Sequence, residues 1–346
     1  MAREFMANAA KIEGLEIMPI PQLEVKREQG IELLAGLLAS REQLPKENDE
    51  AMEWIALTYA HPEYKDEVLS KIKKYKSFIK NPEELYEKTI NSLREYEENA
   101  PILDVDDEIK KREETISKYK EQVTKSIEYF RPHVKTSNIN KIGIIPCDKV
   151  LPRVNMGRGI DIGNTLFIMS HTENPDTFDH EFLHGLINPI TEKFTKYFES
   201  EEQRKKIFEF TNGGIDGYGD YPVSILNEEI IQTYNEYIKD GGKTPTLSKI
   251  KKEFELMTEQ DFIKIKSGQK GSEFLRNSFK EFDALKDLQA NIEIYYEKFI
   301  KDQQILRNEL RKRLLDFYRG YEHEKKTKSS LSFEKYFSNN YKQILS

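Results

Sequence analysis

Only one stretch of this chain, residues 141–169, carries the short apolar runs of a β-sheet, and charged helical sequence encloses it on both sides. Lys141-Ile-Gly-Ile-Ile145 and Asn164-Thr-Leu-Phe-Ile-Met169 are the two runs of β type. Pro146, Pro152, Gly157, Gly159 and Gly163 lie between them and read as turn material. So little sheet amid so much helix limits the fold. It predicts the α+β class, predominantly α-helical, with a small sheet packed on a helix and helical N- and C-terminal regions.

The helical pattern can be followed in some detail. Residues 1 to about 27 look irregular, with Pro19 and Pro21 as breakers. From about residue 28 to 131 apolar residues recur at helical spacing, as in Leu33, Leu34, Leu37 and Leu38. Asn81-Pro82 is a helix start, with Asn81 as N-cap and Pro82 at the first helical position. Asp104 to Phe130 reads as one long charged helix closed by Pro132. After the sheet a helix is expected from about Pro175 to Ile187, broken by Pro189, then another from about Ile190 to Phe210. A glycine-rich loop fills 212–222, and a further helix runs from about Val223 to Tyr237. Serines and lysines near 325–330 suggest a hinge before a last short helix. The expected division is a helical region at 1–135, a core at 136–243 and a helical region at 244–346.

Charge narrows the partners. The chain has 346 residues, with 54 Lys and Arg against 61 Asp and Glu, a net charge of −7 that gives no reason to expect nucleic acid. Its 18 Tyr and 19 Phe provide large apolar bodies for a core, which disordered chains lack. With Cys147 as the one cysteine, no intrachain disulfide can form. The first residues carry no apolar signal core, and the longest apolar stretch, Ile31 to Ala39, is too short to cross a bilayer and contains Glu32. No membrane association and a cytoplasmic location are expected.

The chemistry concentrates at residues 180–184, His-Glu-Phe-Leu-His. Two histidines four apart on a helix stand about 40° apart around its axis and one turn along it, so both imidazoles can reach one Zn²⁺. Glu181, beside the first, is placed to take a proton from a metal-bound water. The context is helical: Asn174 can cap, Pro175 starts, and Asp176 and Asp179 suit the positive end of the helix. The bland alternative is two histidines that merely face solvent or core. A third ligand is required, and Asn227-Glu228-Glu229-Ile230-Ile231 offers two. On a helical wheel Ile225 and Ile231 flank Glu228, whereas Glu229 groups with Gln232 and Glu236 on a polar face. A carboxylate bordered by isoleucines is costly unless paired or bound to a metal, which favours Glu228. The alternative is a solvated helix face.

His180-Glu181-x-x-His184 followed by Asn227-Glu228 on a later helix resembles the gluzincin metallopeptidases, the thermolysin-like clan. The longer string His180-Glu-Phe-Leu-His-Gly-Leu-Ile-Asn-Pro189 also resembles an uncharacterised group of bacterial proteins classed with them. The resemblance covers roughly residues 140–240. It implies one zinc per chain held by His180, His184 and Glu228, Glu181 as general base, and a peptide or protein substrate. Two features depart from it: forty-three residues separate His184 from Glu228, and no Ser-Asp follows the glutamate pair.

The resemblance also implies that the strand before the active helix, Asn164 to Met169, offers an edge to an extended substrate; the alternative is an ordinary core strand. An oxyanion donor is needed, with Tyr218 and Tyr221 in the glycine-rich loop as candidates beside Tyr234 and His171. Cys147 raises a deformylase-like amidase, in which an upstream cysteine binds the metal, but it reads better as a small buried apolar residue. His61, His133 and His323 read as surface residues. Two non-catalytic readings stand beside the peptidase: zinc that only holds helices together, and a helical interaction scaffold with a chance motif.

Overall fold

The computed structural model describes residues 16–40, 49–76, 79–99, 105–147, 157–170, 172–211, 221–239, 254–267, 276, 278–295, 297–298 and 301–346. By internal contacts the chain divides into two units, Met1–Leu186 and Ile187–Ser346, and the division falls inside one continuous helix. The class is α+β and predominantly helical, with one small mixed sheet among the described residues.

The first unit is built on a four-stranded sheet of order β1-β2-β4-β3, comprising Gln22–Val25 (β1), Lys141–Pro146 (β2), Arg158–Ile162 (β3) and Thr165–Ser170 (β4). β1, β2 and β4 are parallel, and β3 returns antiparallel to β4. Two of these strands were not visible in the sequence. β1 lies within the stretch expected to be irregular, and β3 within the supposed turn material. Both are short edge strands whose pairing is supplied by distant residues, as in Leu23 against Ile142 and Ile160 against Phe167. β4, by contrast, is buried along its whole length between β2 and β3. The exposed edge expected at Asn164 to Met169 is therefore absent, and the core-strand alternative holds there.

Period-two alternation divides the sheet residues between two faces. Ile145, Phe167, Met169, Ile160 and Ile162 share a core with Leu34, Ile55, Ile72 and Leu93. These come from helices Gln29–Ser40 (α1), Asp49–Ala60 (α2), Lys65–Tyr75 (α3) and Pro82–Glu97 (α4). Asn81 caps α4 as expected, its Oδ1 accepting from the Glu84 amide at 3.2 Å. Ile142, Ile144, Leu166 and Ile168 point to the opposite face. The long helix Asp106–Phe130 (α5) ends at Arg131, whose left-handed φ of 46° precedes Pro132. It is followed after the sheet by Pro175–Thr191 (α6).

α6 does not break at Pro189 but runs on to Thr191. Proline removes only the bond to the Gly185 carbonyl, and the disruption falls in the last turn. There the Thr191 hydroxyl donates to the carbonyls of Ile187 (3.3 Å) and Asn188 (3.2 Å). The single helix expected from Ile190 to Phe210 is instead a 3₁₀ turn, Glu192–Phe194, then Thr195–Phe198 (α7) and Glu201–Phe210 (α8).

The second unit continues with Pro222–Thr233 (α9), which passes into a π-helix over Tyr234–Lys239. Glu259–Lys266 (α10), Leu285–Ala290 (α11), Ile292–Tyr295 (α12), Lys301–Thr327 (α13) and Phe333–Asn340 (α14) follow. The break between α13 and α14 lies where the hinge was expected. α9 is buried on nearly every side, and the Tyr318 hydroxyl of α13 donates to its Ile230 carbonyl at 3.0 Å. No described helix is long and apolar enough to cross a membrane.

Candidate metal centre

α6 is held in the first unit by its first turns and by Gly185. Asn174 Oδ1 accepts from the Asp176 amide at 3.1 Å, the cap expected from the sequence. α5 holds the first turns: Gln122 Nε2 donates to Asp176 Oδ1 (2.7 Å), Ser126 Oγ donates to the buried Asp179 (3.0 Å), and the Tyr119 and Phe178 rings lie 5.3 Å apart. Further along, Gly185 lets the helix pack closely on the segment before β2, since a Cβ there would stand 2.7 Å from Ile139 Cδ1. Phe178, Phe182, Leu183 and Leu186 are consequently buried, and His180, Glu181 and His184 are left half-buried on the other side.

His180 Nε2 and His184 Nε2 stand 3.2 Å apart with ring planes at 78°. Two nitrogens on one tetrahedral zinc, each bonded at about 2.05 Å, stand about 3.3 Å from each other. The pair therefore fits one ion; the same spacing also suits an N–H···N bond between neutral rings. One ligand atom from each of His180, His184 and Glu228 lies within 4.8 Å of the others. No other such group of His, Cys, Asp or Glu occurs among the described residues. Two imidazoles and a carboxylate form a donor set suited to zinc.

Glu228 owes its place to α9. Its neighbour Asn227 donates from Nδ2 to Asn188 Oδ1 at 2.9 Å, and Asn188 lies one turn beyond His184 on α6. Glu228 is buried, and Oε1 accepts from Gln232 Nε2 at 2.8 Å. Glu229 is wholly buried, against the expected polar face, and is paired with Arg311 of α13, whose Nε lies 3.0 Å from its Oε2. The wheel failed at this position because the cover comes from a residue far along the chain.

Glu181 Oε2 accepts from the Gly159 amide at 2.6 Å. A strand amide points either to its partner strand or away from it, so this one points off β4, along the edge of β3 that pairs with no other described strand. The Asp161 carbonyl, of the same parity, accepts from Lys71 Nζ and faces the same way. Gly157 and Gly159 both crowd Glu181: a Cβ on Gly159 would lie 3.2 Å from its Oε2, and one on Gly157 would lie 3.4 Å from its Cγ. Alternate glycines in a run read as a turn were the available sign of this close approach. Arg158 is held by buried Glu53, with its Nη1 2.5 Å from Glu53 Oε2. Burial works against the Arg158 charge, and the carboxylates of Glu53, Glu50 and Glu181 outweigh it, so its pKa is raised.

The remaining candidates fall away from the cluster or outside the description. Tyr218 and His171 lie outside the described residues. Tyr221 is exposed just before α9, about 10 Å along the helix axis from Glu228. Tyr234 is buried, its ring 6.1 Å from that of Tyr318. Cys147 is buried in the core beside the sheet, where desolvation pushes its thiol up to about 12, and it is not part of the His180, His184 and Glu228 cluster. His61, read as a surface residue, is half-buried: it packs on Phe167 (6.0 Å) and shares a 3.2 Å contact with buried Glu28. No protein-family model, curated protein or solved structure matches the chain.

Proposed function

We propose that this chain is a zinc metallopeptidase that hydrolyses peptide bonds. The observation that carries the reading is the pair of imidazole nitrogens 3.2 Å apart, with Glu228 beside them and Glu181 on the same helix. The gluzincin-like motif supports it. His180, His184 and Glu228 would hold the ion, which when bound supplies an acidified water and polarises the scissile carbonyl. Glu181 takes the proton of the attacking water and passes it to the leaving amine. The substrate is an extended peptide laid along the outer edge of β3, where it exchanges with Glu181 for the Gly159 amide. Tyr218 is kept as the candidate oxyanion donor, since Tyr221 stands about 10 Å along α9 from Glu228.

A second reading, zinc that braces helices without turnover, draws on one observation: the Gly159 bond already gives Glu181 a structural role. Digestion of a peptide library by the zinc-loaded chain and by Glu181→Gln separates the two. Cleavage that falls by at least about 10³-fold in the variant while zinc is retained supports the peptidase. Full zinc with no cleavage by either protein supports the brace.

A further inference from the structure

We infer that Arg311 is a positioning residue for the metal site, acting on Glu228 through the side-chain amide of Gln232. The inference rests on the metal-site reading and extends it to residues that touch no metal. Arg311 reaches α9 with two different nitrogens: Nε donates to Glu229 Oε2 at 3.0 Å, and Nη2 donates to Gln232 Oε1 at 2.6 Å. Gln232 in turn donates from Nε2 to Glu228 Oε1 at 2.8 Å.

The chemistry of these groups gives the chain a direction. A guanidinium only donates, so the end of the amide facing it must be the oxygen. The NH₂ end then faces Glu228, and a flipped amide would set donor against donor at Arg311 and acceptor against acceptor at Glu228. Arg311 thereby fixes which way Gln232 points, and Gln232 in turn holds Oε1 of Glu228. Glu229 completes the arrangement by neutralising the guanidinium, which is itself buried at 6% exposure. Glu229 and Gln232 are one turn apart on α9, so the two-pronged grip also sets the rotation of that helix about its axis. Lysine, with a single nitrogen, cannot hold both positions in this way.

Partners of this kind contribute about 10- to 100-fold to metal affinity. The test is zinc affinity by competition with a chromophoric chelator, for the full-length parent, Gln232→Met, Arg311→Lys and Glu228→Ala. Thermal melts of the metal-free proteins identify variants that fail to fold. Gln232→Met keeps the side-chain length and the Arg311–Glu229 pair but cannot donate to Glu228. It is expected to weaken zinc about 10-fold or more, and Arg311→Lys to weaken it by a smaller factor. Cobalt loading supplies a second readout: the visible absorption of Gln232→Met should move from that of the parent toward that of Glu228→Ala. If the parent binds zinc, Glu228→Ala loses it, and Gln232→Met matches the parent within about twofold in affinity and in its cobalt spectrum, the metal site stands and the relay is wrong. If the parent binds neither ion, the metal-site reading fails and the relay with it.

Discussion

At the scale of single residues, Glu181 and Gly159 form a pair whose geometry can be tested directly. A valine at 159 would place its Cβ 3.2 Å from the carbonyl oxygen and from Oε2 of Glu181, and 3.3 Å from its Cβ. A side chain at 159 must therefore displace Glu181. Gly159→Val is expected to lower peptide cleavage about 10- to 100-fold while leaving bound zinc unchanged; a variant with parental turnover would show that the close approach is incidental. Cys147 makes a second test. Its thiol is buried and held up to about 12 in the folded chain, against 9.0 for the unperturbed group. The folded protein should resist a thiol reagent at pH 8 and react once denatured. Because the folded pKa is the raised one, this contribution to stability is complete below about pH 9 and declines as pH rises toward about 12. A denaturation midpoint that does not change across that window in the parent relative to Cys147→Ala would contradict the assignment.

Elements were legible where the signal is local. The cap at Asn81, the long α5, the paired histidines on α6 and the buried runs of β2 and β4 all follow from spacing within one turn or one strand. Asn81→Ala is expected to cost about 1 kcal/mol in chemical denaturation, since it removes the bond to the Glu84 amide. What could not be read depends on distant partners. β1 is a four-residue strand that exists because Ile142 and its neighbours pair with it. Glu229 sits on a polar-looking face that is covered by Arg311. The candidate site divides in the same way: both histidines and Glu181 were visible as a motif, whereas Gln232 and Arg311 behind Glu228 carry no signature. The junction of α1 with α2 is likewise a matter of packing. A Cβ on Gly30 would land on the carbonyl oxygen of Ala56. Gly30→Ala should therefore destabilise the fold by about 2–3 kcal/mol despite alanine's better helix propensity. An unchanged or raised melting temperature would place the two helices further apart than described.

For the whole molecule, helix α6 is the continuous element that carries the two histidines. It carries His180 and His184 in its middle, and beyond them Asn188, which receives the side chain of Asn227 next to Glu228. A ligand that binds only the folded chain stabilises it by mass action. Zinc at about 100 times its Kd should add about 2.7 kcal/mol, seen as a rise of the melting temperature that a chelator reverses. The most direct measurement is bound metal by mass spectrometry in protein purified without chelators, for the parent beside His184→Ala and Glu228→Ala. About one zinc per chain is expected in the parent, the number for a single three-residue site, with a reduced content in both variants. A parent that carries no metal and takes up none when it is added would contradict the metal-site reading.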